Sequence, residues 1–266
     1  MWWAMAEYVE FPPLRALAPF VECGWVRSSA AGDSLRVMPD GCVDLFVSSG
    51  GVVVSGPATT FYDHAPHAQG MLVGLRLRPG AAAAVTGHPV SELKDNQVPV
   101  DSVFGISASG LAQDVLDAND SRQQVSLLQV ALARYFAQRE PVVDRPIAHA
   151  IEMLRQCSPL PVRGVAATVG LSERQLRRRF ADAVGYGPKR FGRIMRFQRL
   201  LDLIHGGSDR IRWSEVAIAA GYADQPHMIN ECLTLAGTRP TALPGATKRS
   251  ETEPSVSSNI GGRTRA

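Results

Sequence analysis

The chain has 266 residues, 45% hydrophobic and 20% charged, with a net charge of +3; this is an ordinary globular composition, long enough for about two domains that each bury a core. Its four cysteines, Cys23, Cys42, Cys157 and Cys232, are dispersed without a C-x-x-C pair, which argues against a disulfide framework or a zinc ribbon and fits a reducing cytoplasm. No apolar run reaches the ~18 residues that span a bilayer, and the apolar start from Met1 to Ala6 lacks a basic n-region, unlike a signal peptide. The charge is unevenly placed. Residues 1–140 hold 9 Lys/Arg against 14 Asp/Glu, residues 141–245 hold 15 against 9, and the tail holds 4 against 2. An acidic front and a basic back imply that only the back half meets a polyanion.

In the front half, turn signals alternate with short β-branched runs. Pro39-Asp40-Gly41 is a turn before a strand at 42–47; Ser48-Ser49-Gly50-Gly51 is another before a strand at 52–55; 71–77 is a third, ended by Pro79-Gly80. This spacing predicts an antiparallel sheet or small barrel, with shorter helices near 80–95. Residues 107–138 read as helical, with Leu111 and Val115, then Val125, Leu128, Leu132 and Phe136 at helical spacing. A linker with two prolines follows at 141–146. Beyond 246 the composition is Ser, Thr, Gly and charge, which predicts a disordered tail.

The back half writes one pattern twice. Leu160-Pro161-Val162-Arg163-Gly164-Val165-Ala166-Ala167-Thr168-Val169-Gly170 returns 51 residues later as Ile211-Arg212-Trp213-Ser214-Glu215-Val216-Ala217-Ile218-Ala219-Ala220-Gly221. Each glycine is followed by a polar turn and a second helix with an apolar pair four apart, Leu176 and Phe180, then Met228 and Cys232. Each copy closes on Gly-x-x-Pro, at 185–188 and 237–240. The offset after the turn is 52, so the second turn holds one extra residue. Short helix, glycine turn and second helix is the helix-turn-helix pattern, and two copies imply a protein that reads two successive stretches of a DNA groove. Ser172 and Gln175 form a capping-box pattern; Arg174, Arg177 and Arg178 are left on the outward face, with Arg179 towards its flank. Arginine's fork suits guanine edges and phosphates. The helix from Lys189 to Ile204 should turn Phe191, Ile194, Phe197, Leu201 and Ile204 to the core and act as a rigid spacer. In the second unit Asp224 is the expected N-cap. Gln225, His227 and Asn230 are the expected outward positions, with Glu231 beside them, where its charge should repel phosphate.

Over about 145–245 the chain resembles the AraC/XylS family of transcriptional regulators. The likeness rests on Val165-Ala166, Gly170-x-Ser172, Leu176-x-x-x-Phe180, Gly185-x-x-Pro188, Arg196-x-x-x-Leu200-Leu201, Val216-Ala217, Gly221-Tyr222-x-Asp224-Gln225-x-His227 and Gly237-x-x-Pro240. It departs at Met228 and Cys232, where Phe is usual, and at Asn230 and Leu233, where a basic residue is usual. The resemblance implies two units entering adjacent major-groove segments on one face of the duplex. The expected DNA-contacting set is Arg174, Gln175, Arg177, Arg178, Gln225, His227 and Asn230, with Ser172, Lys189, Arg193 and Arg196 as candidate phosphate contacts. The front half resembles the cupin-like domain of a subset of these regulators through Phe20-Val21-x-x-x-Trp25, Pro39-Asp40-Gly41-Cys42-x-Asp44-Leu45 and Arg76-Leu77-Arg78-Pro79-Gly80.

The expected fold class is thus α+β. A β-rich sensor or dimerisation domain spans 1–105, a helical connector and linker 106–144, the DNA-binding domain 145–245, and the tail 246–266. Double-stranded DNA is the expected partner. RNA polymerase and a second copy of the chain are further candidates, the effector is not identifiable, and no cofactor, metal, membrane or catalytic residue is expected. The rival reading is a cupin-like metal-dependent enzyme or ligand-binding module fused to a DNA-binding domain. Its ligand candidates are His64, His67 and His88, yet no H-x-H pair with a following Glu is present, and Asp63-His64-x-x-His67 falls in an expected loop. Cys42 is a redox-sensor candidate set against the commoner reading of a buried thiol.

Overall fold

In the computed structural model, residues 2–3, 8–28, 35–48, 51–64, 71–105, 108–156, 160–206 and 211–243 are described; His67, Cys157 and the tail expected at 246–266 lie outside them. The front half forms strands β1 (Trp2–Trp3), β2 (Tyr8–Phe11), β3 (Val21–Ser28), β4 (Leu35–Val37), β5 (Val43–Ser48), β6 (Gly51–Ser55), β7 (Tyr62–His64), β8 (Met71–Leu77) and β9 (Gln97–Pro99). They make a six-stranded antiparallel sheet in the order β2-β3-β8-β5-β6-β9 and a three-stranded one in the order β1-β4-β7. Asp63 and His64 lie in strand β7 rather than in the expected loop. Arg36 of β4 fixes that strand through two hydrogen bonds to Asp63, at 2.8 and 2.9 Å.

Short helices α1 (Ala82–Thr86) and α2 (Val100–Phe104) follow β8 and β9. The stretch read as helical at 107–138 is two helices, α3 (Ser109–Asp117) and α4 (Ser121–Ala137). They part at an Asn119-Asp120 turn, where Asp120 accepts from Gln123 N and caps α4. These helices are not a free connector: Ala112, Val115, Val125, Leu128 and Leu132 share one core with Val26, Leu45, Val54 and Leu75 of the sheet. Gly24 makes this packing close, since a Cβ there would fall 2.2 Å from Val125.

The back half is all helix: α5 (Arg145–Arg155), α6 (Val162–Thr168), α7 (Glu173–Val184), α8 (Pro188–Gly206), α9 (Trp213–Ala220) and α10 (Gln225–Ala236). Leu176, Phe180, Phe191, Ile194, Phe197, Leu201, Ile204, Met228 and Cys232 are fully buried in one core, as their spacing predicts. The α+β expectation, an antiparallel domain followed by a helical one with two helix-turn-helix units, holds.

The two halves are docked. Met38, from the loop after β4, is buried in the helical core, and Gln198 of α8 donates to the Pro39 carbonyl at 2.7 Å. Gly41 has φ +83°, open to glycine without strain, and lies so close to Phe191 that a Cβ would sit 3.0 Å from its ring. Phe61 N and Thr60 Oγ1 donate to the carbonyls of Leu235 and Thr234 at the end of α10, both at 2.9 Å. The signature motifs of the front half build this docking edge. Arg76 forms ion pairs with Asp40 at 3.3 Å and Asp44 at 3.4 Å, Trp25 Nε1 donates to Asp44 at 3.0 Å, and Asp40 accepts from Cys42 N at 2.9 Å.

Candidate nucleic-acid interface

Helix α7 is fixed at both ends and along one side. Gly170, at φ +69°, makes the turn after α6. Ser172 Oγ accepts from Gln175 N at 3.3 Å while Gln175 Oε1 accepts from Ser172 N at 2.9 Å, a complete capping box. Gly185, at φ +95°, closes the helix. Leu176, Phe180, Ala183 and Val184 are buried, and Arg179 reaches across to the N-cap of α5, binding Asp144 through two hydrogen bonds of 2.9 and 2.7 Å. What remains outward is basic. Arg174, Arg177 and Arg178 are exposed; Arg177 is held by Glu173 one turn earlier at 2.6 Å, and Arg174 and Arg178 have no ion pair among the described residues. Gln175 is exposed, with its side-chain carbonyl committed to the cap.

Helix α10 repeats the construction with different chemistry. Asp224 caps it by accepting from His227 N at 2.8 Å, and Pro226 fits in its first turn. Asn230 is exposed and Gln225 half-buried, but His227 is turned aside. Its ring meets the buried Tyr222 edge-on at 5.4 Å, and its Nδ1 accepts from Ala223 N. Glu231 corrects the sequence reading: it is buried, not outward. It shares the inner edge of α10 with Met228, Cys232 and Leu235, and there it meets Arg193 at 2.7 Å and Arg196 at 3.3 Å from α8. Its charge is thereby matched inside the fold and does not face phosphate.

The basic residues of α8 divide accordingly. Arg193 and Arg196 turn to Glu231, Arg196 also lying 5.4 Å over the Tyr222 ring, and Arg199 donates to the carbonyls of Ala220 and Arg155 at 3.2 and 2.8 Å. They tie α8 to α5, α9 and α10. Lys189, at the exposed start of α8, has no ion pair among the described residues. Sequence reasoning missed the outward positions Pro226 and Ile229, although the 52-residue offset places them opposite Arg174 and Arg177; Leu233, noted as a departure from a basic residue, is exposed and stands opposite Ala181.

Residues 165–244 match a family model described as a helix-turn-helix domain. The chain carries a helix-turn-helix domain. Ahead of it, residues 9–99 match a domain of unknown function (DUF6597). Among solved structures, an AraC-type transcriptional regulator from Chromobacterium violaceum is 22% identical over 41% of this chain and 95% of its own, with a TM-score of 0.36. ToxT from Vibrio cholerae is 6% identical over 92% of this chain and 97% of its own, with a TM-score of 0.43. Its complex with (E)-4-(8-methylnaphthalen-1-yl)but-3-enoic acid gives 11% identity over 85% and 97%, with a TM-score of 0.44. No curated protein matches the chain in sequence. No helix among the described residues is long and apolar enough to cross a membrane.

Proposed function

We propose that this chain is a sequence-specific DNA-binding regulator of transcription, reading two adjacent major-groove segments with α7 and α10 while the front domain regulates it. The observation that carries this is the guanidinium stripe of Arg174, Arg177 and Arg178, held outward on a helix whose caps and buried side fix its orientation. Such forks bind guanine O6 and N7 or phosphate oxygens. Helix α8 has 19 residues and is about 28 Å long, a spacer of the order of one duplex turn, ~34 Å. Gln175, Gln225 and Asn230 complete the proposed base-facing set, while His227, expected there from sequence, is turned to Tyr222 and Ala223 and supports the start of α10 instead. Ser172 and Lys189 stand at helix starts, where backbone amides favour phosphate; Arg193 and Arg196 contribute less, since Glu231 partly neutralises them.

In this reading the chain acts without catalysis, in the cytoplasm, and no cofactor takes part. RNA polymerase or a second copy of the chain would be met by surfaces other than the outward faces of α7 and α10. Mapping of DNA bound to the chain in its own cells tests the proposal. Discrete sites sharing one sequence near regulated promoters are expected; diffuse occupancy without a common sequence would contradict it.

A further inference from the structure

The two recognition helices present the same stripe of positions with opposed chemistry. At the 52-residue offset, Arg174, Arg177, Arg178 and Ala181 correspond to Pro226, Ile229, Asn230 and Leu233. In each helix these are positions i, i+3, i+4 and i+7, one face, lying opposite the buried set. On α7 the face is three guanidiniums and a methyl group. On α10 it is uncharged: Leu233 is 45% exposed, Pro226 and Asn230 are exposed and Ile229 is half-buried. A single exposed leucine needs no explanation. Here, however, it stands in register with the base-facing stripe of α7, one turn from an exposed amide, on a helix whose one carboxylate has been drawn inward to Arg193 and Arg196.

Major-groove edges sort these chemistries. Adenine offers an acceptor and a donor that match an Asn or Gln amide; thymine offers a methyl group that matches an apolar side chain; guanine offers two acceptors that match an Arg fork. We infer that α10 reads a run of A·T pairs, Asn230 on an adenine edge and Leu233 with Ile229 against thymine methyls, while α7 reads the guanine-containing segment beside it. The operator is then asymmetric in composition, with a guanine-bearing half under the first unit and a thymine-rich half under the second. This rests on the proposed function.

The test is selection of duplexes from a random library by the full-length chain at one fixed salt concentration. Arg178→Ala should relax the preference at the guanine positions and so assign that half to α7. In the other half, each contacted thymine is replaced by uracil, which lacks only the methyl group. Removing a buried methyl should weaken binding about fourfold. Leu233→Ala should abolish the penalty at the thymine it covers and Ile229→Ala at the one Ile229 covers, with unchanged circular dichroism because Leu233 is on the surface, Ile229 is half-buried and alanine favours helix. Uracil without effect, or an effect that persists in folded Leu233→Ala and Ile229→Ala variants, overturns the inference; the α10 face would then meet something other than thymine, such as a protein. A selected sequence with no A·T run beside the guanine half overturns the inference and leaves the DNA-binding function standing. Failure to enrich any sequence overturns both.

Discussion

Arg179 and Glu231 occupy equivalent places in α7 and α10 and carry opposite charges. Each clamps its helix to a neighbour: Arg179 to Asp144 at the start of α5, Glu231 to Arg193 and Arg196 of α8. Glu231 is buried while its arginines are only partly so. Glu231→Ala therefore strands two half-buried cations, and the 3–5 kcal/mol typical of breaking a fully buried pair is reduced by solvent. We expect a loss of about 2 kcal/mol, read as a fall in Tm of about 4–8 °C; unchanged Tm would show that the pairs contribute nothing. The outward arginines of α7 were legible in the sequence because helical phase alone places them. Glu231 was not, because a carboxylate next to an outward asparagine reads as surface until the two arginines of another helix are seen beside it.

At the scale of single elements, the caps were the most legible feature. Ser172 with Gln175, Asp224, Gly170 and Gly185 act within a few residues of chain, so their chemistry is local and the structure repeats it. Ser172→Ala should cost about 1 kcal/mol of stability through loss of the α7 cap, measured by urea denaturation. Base preference should not change, since Arg174 and Arg178 keep their positions. A changed preference with full stability would make Ser172 a base-reading residue instead. The break between α3 and α4, and their packing on the sheet, were less legible. Helical periodicity identifies an apolar face but does not say which surface covers it, and here it is the sheet through Gly24.

Across the whole molecule, docking of the two halves was the part hidden from sequence. Met38 enters the helical core and Gln198 donates to the Pro39 carbonyl, contacts between residues far apart in the chain that no local pattern announces. Burial in this arrangement raises the Cys23 and Cys232 thiols to about 12 and pushes Cys42 well above its ordinary range, helped by the nearby Asp40 carboxylate. A raised thiol pKa means less thiolate at a given pH, and the thiolate is the reactive form. Peptide-mapped alkylation at pH 8 should therefore leave all three nearly unmodified in the native chain and label them rapidly in urea. Fast native labelling of Cys42 would restore it as a redox sensor. The proposed reading of DNA by both helices leaves α7, with three outward guanidiniums against the single exposed amide Asn230 on α10, to supply the larger share of the binding, and paired substitutions at equivalent positions test it most directly. Arg178→Ala and Asn230→Ala are compared for affinity to one selected duplex at a single salt concentration, with circular dichroism confirming that both are folded. Arg178→Ala should lose about 1–3 kcal/mol and Asn230→Ala less; a larger loss for Asn230→Ala would contradict the account.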